Sequence, residues 1–183
     1  MDPLALDAGY CVDSLDARRF ANLYNYKEET KSFIHEPAAY SPRSADIQKH
    51  KLGETTPVFS PTGGMKISTL DLATYMQMHM NYGQYAKGRL ISKKSAKLMQ
   101  TKISEEEGYG LALRETEKLV PGVHLVGHTG SAYGLYSAMF FNPKEKYGFI
   151  VITNGCIATY EDDYVALTRK TINYLYESLI KTK

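Results

Sequence analysis

The clearest periodicity in the chain is helical and begins at Ser68. Leu70, Ala73, Met76 and Met80 recur three and four residues apart until Asn81-Tyr82-Gly83 breaks the pattern. Ser68 followed by Asp71 is a capping-box-like start, with Asp standing in for Glu or Gln. The preceding Pro61-Thr62-Gly63-Gly64 reads as a turn. Ser92 caps a second, shorter helix that carries Ala96, Leu98 and Met99. The methionine stripe reads as core filling, since a flexible thioether packs irregular gaps.

Beyond the second helix the pattern shortens to strand length. Residues 109–114, 123–128, 134–141 and 147–153 are β-branched or aromatic runs. Pro121-Gly122 and the segment from Asn142 to Lys146 supply turns that make consecutive strands antiparallel neighbours. The run 134–141 is apolar on both faces, with Leu135, Met139 and Phe141 on one and Tyr136, Ala138 and Phe140 on the other. Such a strand must be covered on both sides. Thr159 with Asp162 reads as the cap of a terminal helix whose positive end suits Glu161, Asp162 and Asp163. Val165, Ile172, Leu175, Tyr176 and Leu179 form its expected buried stripe, and Lys181 and Lys183 sit at its negative end.

The first third is less regular. Residues 15–24 can be helical, with Leu15, Phe20 and Leu23 partly on one side. The polar stretch that follows, broken by Pro37, Pro42 and Pro57, reads as one long loop. A loop of that length in a compact domain signals function or a missing packing partner. The expected organisation is a loop-rich region with a short helix over 1–62, then helices, antiparallel strands and a terminal helix over 63–183. The class is α+β: an antiparallel sheet with a packed C-terminal helix and part of a helical region.

Composition narrows the function. The 183 residues fit one domain, or one and a fraction, and can bury a real core. A net charge of +2, from 22 basic and 20 acidic residues, excludes the clustered excess of a nucleic-acid binder. The densest basic patch, Lys87, Arg89, Lys93, Lys94 and Lys97, reads as a solvated face. Cys11 and Cys156 lie far apart with no framework or zinc spacing. No apolar run approaches the ~20 residues of a membrane span. The first residues lack the basic and apolar regions of a signal peptide, which says nothing about compartment if the chain is part of a longer one.

The candidate chemistry lies in Val126-Gly127-His128-Thr129-Gly130-Ser131-Ala132-Tyr133-Gly134. It reads as a strand ending in His128-Thr129-Gly130, then a turn of small residues. Gly130 leaves the backbone open for a ligand to lie against. His124 and His128 do not make a metal pair, because four residues of strand span roughly 13 Å. His35, His50 and His79 have no ligand-like neighbours, and Glu105-Glu106-Glu107 reads as a solvated loop.

The order of these features resembles the serine β-lactamase and penicillin-binding protein superfamily, nearest its class C β-lactamase-like branch. It carries Pro3-Leu4, Ala8-Gly9-Tyr10, Gly63-Gly64 before Ser68-Thr69-Leu70-Asp71, Tyr109-Gly110-Leu111, the His-Thr-Gly triplet, Gly134, Asn142-Pro143 and Thr153-Asn154-Gly155. The resemblance implies a serine hydrolase in which a Ser-x-x-Lys supplies the nucleophile and a Tyr-x-Asn or Ser-x-Asn a second proton-transfer group. It implies that His128, Thr129 and Gly130 bind substrate, and that the Ser131 backbone N–H forms half of an oxyanion hole. His128 and Ser131 are thus the expected catalytic residues, and no cofactor is implied. The His in place of Lys leans toward the peptidase or esterase branch, and the family resemblance implies a periplasmic or extracellular place of work on cell-wall material.

Two of the three motifs are missing. The one Ser-x-x-Lys is Ser178-Leu179-Ile180-Lys181, after the triplet and at a helix end, where it reads as a chance match. No Tyr-x-Asn or Ser-x-Asn occurs, despite 15 tyrosines. The chain is therefore expected to be the C-terminal portion of such a hydrolase, inactive alone, facing a small-molecule or peptide-like substrate. The alternative is a stand-alone inactive relative that binds a peptide or protein along that strand. Either way an exposed apolar sheet surface is expected, and with it a homodimer or limited stability.

Overall fold

The computed structural model describes residues 2–55, 64–104 and 108–182. Most of the expected turn from Pro61 to Gly64, and Glu105 to Glu107, lie outside them. In chain order the elements are β1 (Tyr24–Lys27), β2 (Ser32–His35), α1 (Ser44–Lys49), α2 (Thr69–Met80), β3 (Gln84–Tyr85), β4 (Gly88–Arg89) and α3 (Lys93–Gln100). Then follow β5 (Arg114–Thr116), β6 (Leu125–Ala132), β7 (Leu135–Asn142), β8 (Tyr147–Thr153), β9 (Tyr160–Glu161), β10 (Tyr164–Val165) and α4 (Ala166–Leu179).

The main sheet is antiparallel in the order β5-β6-β7-β8. Its α+β architecture follows from β7, whose two faces are both buried. On one, Ala138 and Phe140 join Leu119, Leu125, Phe149, Tyr164 and Ile172 under α4. On the other, Met139 and Phe141 join Val126, Leu113, Met76 and Met80 under α2. Phe140, Phe141, Leu125 and Ile172 are wholly excluded from solvent. Burying each such side chain stabilises the fold by roughly 1.5–3 kcal/mol. Close packing fixes two glycines by space alone. A Cβ on Gly148 would sit 2.7 Å from the Met76 sulfur, and one on Gly127 would sit 2.0 Å from the Met139 carbonyl oxygen.

The first two helices after the loop region start where the sequence places them. The Ser68 hydroxyl accepts from the Asp71 N–H at 3.0 Å, and the Ser92 hydroxyl does the same for Ser95. The α2 stripe differs in one member: Leu70 is 81% exposed, and Met78 and His79 are buried instead. In α3, Ala96 is buried but Leu98 is exposed.

Elsewhere local pairing overrides the expected pattern. Residues 15–24 are not an α-helix: Asp16 caps a single 3-10 turn, Ala17–Arg19, and Tyr24 starts a strand. The expected loop contains the β1–β2 hairpin, with Tyr24 opposite His35 and Tyr26 opposite Phe33. Residues 109–113 form a tight loop closed by the Gly110 N–H donating to the Leu113 carbonyl, so β5 is only three residues long. Thr159 and Asp162 do not cap α4. Asp162 and Asp163 both take positive φ in the β9–β10 turn, and α4 begins after Val165 with no side-chain cap. The three acids bind cations instead: Glu161 with Lys170 and Arg169, Asp162 with Arg169, Asp163 with Lys118. Leu179 is exposed, and Ile180 takes its place against the core.

Replacing Gly127 with Ala forces β6 and β7 apart at their closest approach. Urea denaturation of G127A is expected to show a loss of about 3 kcal/mol, the upper end for overpacking. His79 is 1% exposed and its Nδ1 has no hydrogen-bond partner among the described residues. Burial lowers its pKa. The unfolded chain therefore takes up the proton first. Stability that is full above the ordinary imidazole value of about 6.5 declines as the pH falls through it toward the folded-state pKa. Urea midpoints measured across that range should fall toward acid, and His79→Leu should flatten the decline.

Candidate active site

β6 changes character along its length. β5 pairs only with Leu125, Val126 and Gly127. From His128 to Ala132 the same edge has no strand neighbour among the described residues, although β7 pairs with the other edge throughout. Burial follows the pairing: Leu125 to Gly127 are buried, and four of the next five residues are exposed. The triplet therefore lies in mid-strand, not at a strand end. The turn after it is Tyr133-Gly134, both at positive φ as a two-residue hairpin turn requires. Gly134 is held against β1, where a Cβ would meet the Tyr24 carbonyl oxygen at 2.1 Å.

Strand alternation puts Val126, His128, Gly130 and Ala132 on the α2 face, opposite Phe141, Met139, Ser137 and Leu135. Thr129 and Ser131 point to the α4 face, so what Ser131 turns toward the α2 side is its main chain. Beside Gly130 and Ser131 lies a cavity of about 670 Å³. The start of α2 borders it through Ser68, Thr69 and Leu72, and the end of β8 through Ile152 and Asn154. The loop-rich first third supplies the remaining wall. Phe20 and Tyr40 stack there with ring centroids 4.7 Å apart.

His128 and Thr129 do not line this cavity. His128 is exposed and held from two sides. Its Nδ1 bonds to the Thr129 carbonyl, and its Nε2 lies 3.2 Å from the Tyr109 hydroxyl. A carbonyl only accepts, so Nδ1 carries a proton, and in the tautomer this fixes, Nε2 accepts from the Tyr109 hydroxyl. The Arg114 guanidinium stands 5.9 Å from the Tyr109 ring and 5.3 Å from that of Tyr164. The Tyr164 hydroxyl donates to Thr116 at 2.8 Å. The exposed imidazole is thus tied through an aromatic and cationic stack to the core.

Lys66 carries no sequence signal, and Asn154 stands out in the sequence only within the Thr153-Asn154-Gly155 run. Lys66 lines the cavity, with its Nζ donating to the Gly64 carbonyl at 2.8 Å and its main chain paired with Gly9. Burial and the nearby Arg43 charge lower its pKa. Asn154 donates to the Asn22 carbonyl and accepts from the Tyr24 N–H through its own, fastening the first third to the sheet. Neither contact has a local pattern, because each joins segments far apart in sequence. Lys181, of the one Ser-x-x-Lys, is bound to Glu177, which raises its pKa and keeps it charged. A protonated lysine cannot take a proton from Ser178. Among the described residues no three His, Cys, Asp or Glu side chains cluster as metal ligands.

A family model described as Beta-lactamase matches residues 7–167. Among solved structures the chain is similar to the octameric penicillin-binding protein homologue from Pyrococcus abyssi. There the TM-score is 0.65 and the identity 21%, over 96% of this chain and 35% of that one. It is also similar to a D-stereospecific amidohydrolase from Streptomyces sp., with a TM-score of 0.59 and 19% identity over 97% of this chain and 45% of that one. At these identities the likeness is one of fold, and the chain spans less than half of either structure. No curated relative matches the sequence.

Tyr109→Phe removes the donor to His128 Nε2 without opening a void. Stability is expected to change by less than about 1 kcal/mol, as for one solvent-accessible hydrogen bond. The imidazole ¹⁵N signals of His128 should move while those of His35 and His50 stay in place.

Proposed function

The chain belongs to the β-lactamase family, and from that premise we propose that it supplies the C-terminal, substrate-facing portion of a serine hydrolase. Penicillin-binding protein, D-peptidase and esterase are the candidate types. The observation that carries this reading is the conjunction at the open half of β6. Gly130 and the Ser131 main chain border a cavity closed on its far side by the start of α2. An acyl substrate lying there meets the backbone along an edge that has no strand neighbour among the described residues. The serine nucleophile attacks the substrate carbonyl, and the developing oxyanion takes a hydrogen bond from the Ser131 N–H. An aligned donor of that kind is worth on the order of 3 kcal/mol. The amine or alcohol leaves with a proton, and water then releases the acid from the acyl-serine.

The nucleophile comes from outside these residues, because no Ser-x-x-Lys precedes the triplet. The strands that complete the sheet add at the outer edge of β8, which has no neighbour among the described residues. In their absence a second copy of the chain covers that edge. His128, in place of a lysine, favours the class C-like peptidase and esterase branch over a β-lactamase. Gly130 keeps that strand narrow enough for a substrate to lie along it.

A second reading is favoured by the same open edge. As a catalytically inactive relative, the chain takes up a peptide or partner segment as an added strand along residues 128–132.

Incubation of the chain with a fluorophosphonate and with a penicillin, followed by intact mass, is expected to leave it unmodified. A covalent adduct on any of its serines would overturn the incomplete-site reading. Immunoblotting with peptide mapping in source cells separates the two readings. A native band well above 20.6 kDa with Ser-x-x-Lys peptides supports the hydrolase, and a band at that mass supports the binding module.

A further inference from the structure

A second cavity, of about 700 Å³, lies at the opposite end of α2 from the first. That volume falls within the roughly 300–1,000 Å³ typical of small-molecule sites. Lys87, Arg89, Lys93 and Lys146 line it, and among the described side chains no carboxylate does. Three of these belong to the basic patch that reads from sequence as a solvated face. The β3–β4 hairpin and the start of α3 fold them around a hollow, and the β7–β8 turn adds Lys146. None of the four forms an ion pair among the described residues, although pairs are frequent elsewhere on the surface.

Two of the cations have structural work. Lys146 Nζ donates to the Met80 carbonyl and Arg89 to that of Tyr82, closing the C-terminal end of α2. That helix end carries only about half a negative charge. Four positive charges around it leave a large excess, and a concave wall focuses the field of such an excess. Burial lowers the pKa of Lys146, a cost the cluster bears without a counter-ion. The Tyr82 ring is already flanked, with Lys97 Nζ at 5.7 Å and Lys146 Nζ at 4.8 Å from its centroid. Lys87 and Lys93, both exposed, donate to nothing among the described residues. Pro3, Leu4, Ala5 and Tyr85 give the wall an apolar and aromatic part, and Thr74, Gln77, Asn81 and Gln84 a neutral polar one.

We propose that this cavity binds a phosphate ester of small-molecule size. Its phosphate sits between Lys87 and Lys93 with Arg89 alongside, and its organic part lies against Tyr85, Pro3 and Leu4. Paired cations suit a dianion with several acceptor oxygens better than a single carboxylate. The site is independent of the hydrolase reading, since it shares no lining residue with the first cavity.

Calorimetric titration of the chain with phenyl phosphate is expected to saturate, and inorganic phosphate to compete more weakly for lack of the ring. Lys87→Ala with Lys93→Ala should weaken phenyl phosphate at least about tenfold, the loss expected for charged hydrogen bonds. Lys27→Ala with Lys49→Ala, which removes equal charge from exposed positions elsewhere, should leave it unchanged. Failure to saturate at millimolar phenyl phosphate would overturn the proposal. So would an equal loss in both double variants, which would mark diffuse attraction only. If the first pair unfolds by circular dichroism, Lys93→Gln alone carries the same test.

Discussion

Everything in this structure depends on β7 being apolar on both sides. A strand of that kind has no stable position at a surface, so it fixes itself in the interior and recruits cover twice. α4 comes from after it in the chain and α2 from before it, and each brings its own stripe to one face. The hairpin partners β6 and β8 then fall on either side by short turns. The candidate active site inherits its place from this arrangement. The cavity beside Gly130 exists because α2 leans on one face of the sheet, and its first turn overhangs the part of β6 that β5 does not reach.

What the sequence made legible was whatever one segment decides alone. Ser68 and Ser92 cap their helices through bonds three residues away, and alternation in the run to Phe141 required burial on both faces. The triplet was visible because its composition is unusual for a strand. What stayed hidden was decided between distant segments. Tyr24 to His35 is too polar to look like a hairpin, and is held as one partly by Asn154, over a hundred residues away. The Asp162-Asp163 pair suits a helix start, yet a tight turn and two salt bridges claim it first. Leu70 and Leu179 fit a helical stripe by spacing and miss the core, because each lies at a helix end where the neighbouring element has already turned away.

The site was legible to the same degree. His128, Thr129, Gly130 and Ser131 were found as a motif, but the strand's alternation divides them between two faces and only its last part meets the cavity. Tyr109 and Lys66 were not singled out as site residues, since a tyrosine or lysine in a loop has no periodicity to betray it. Their roles come from the third dimension: one steadies the imidazole, and the other is drawn into a poorly solvated wall.

The division of β6 at His128 has a bearing on how such a chain drifts over generations. Upstream of that point a replacement is screened by folding, because Gly127 lies against the neighbouring main chain and Val126 and Leu125 are sealed in two cores. Downstream it meets solvent, and only the demands of a bound molecule restrain it. One strand therefore carries two independent clocks, and a lineage that lost its chemistry would keep the first half of β6 while the second half wandered.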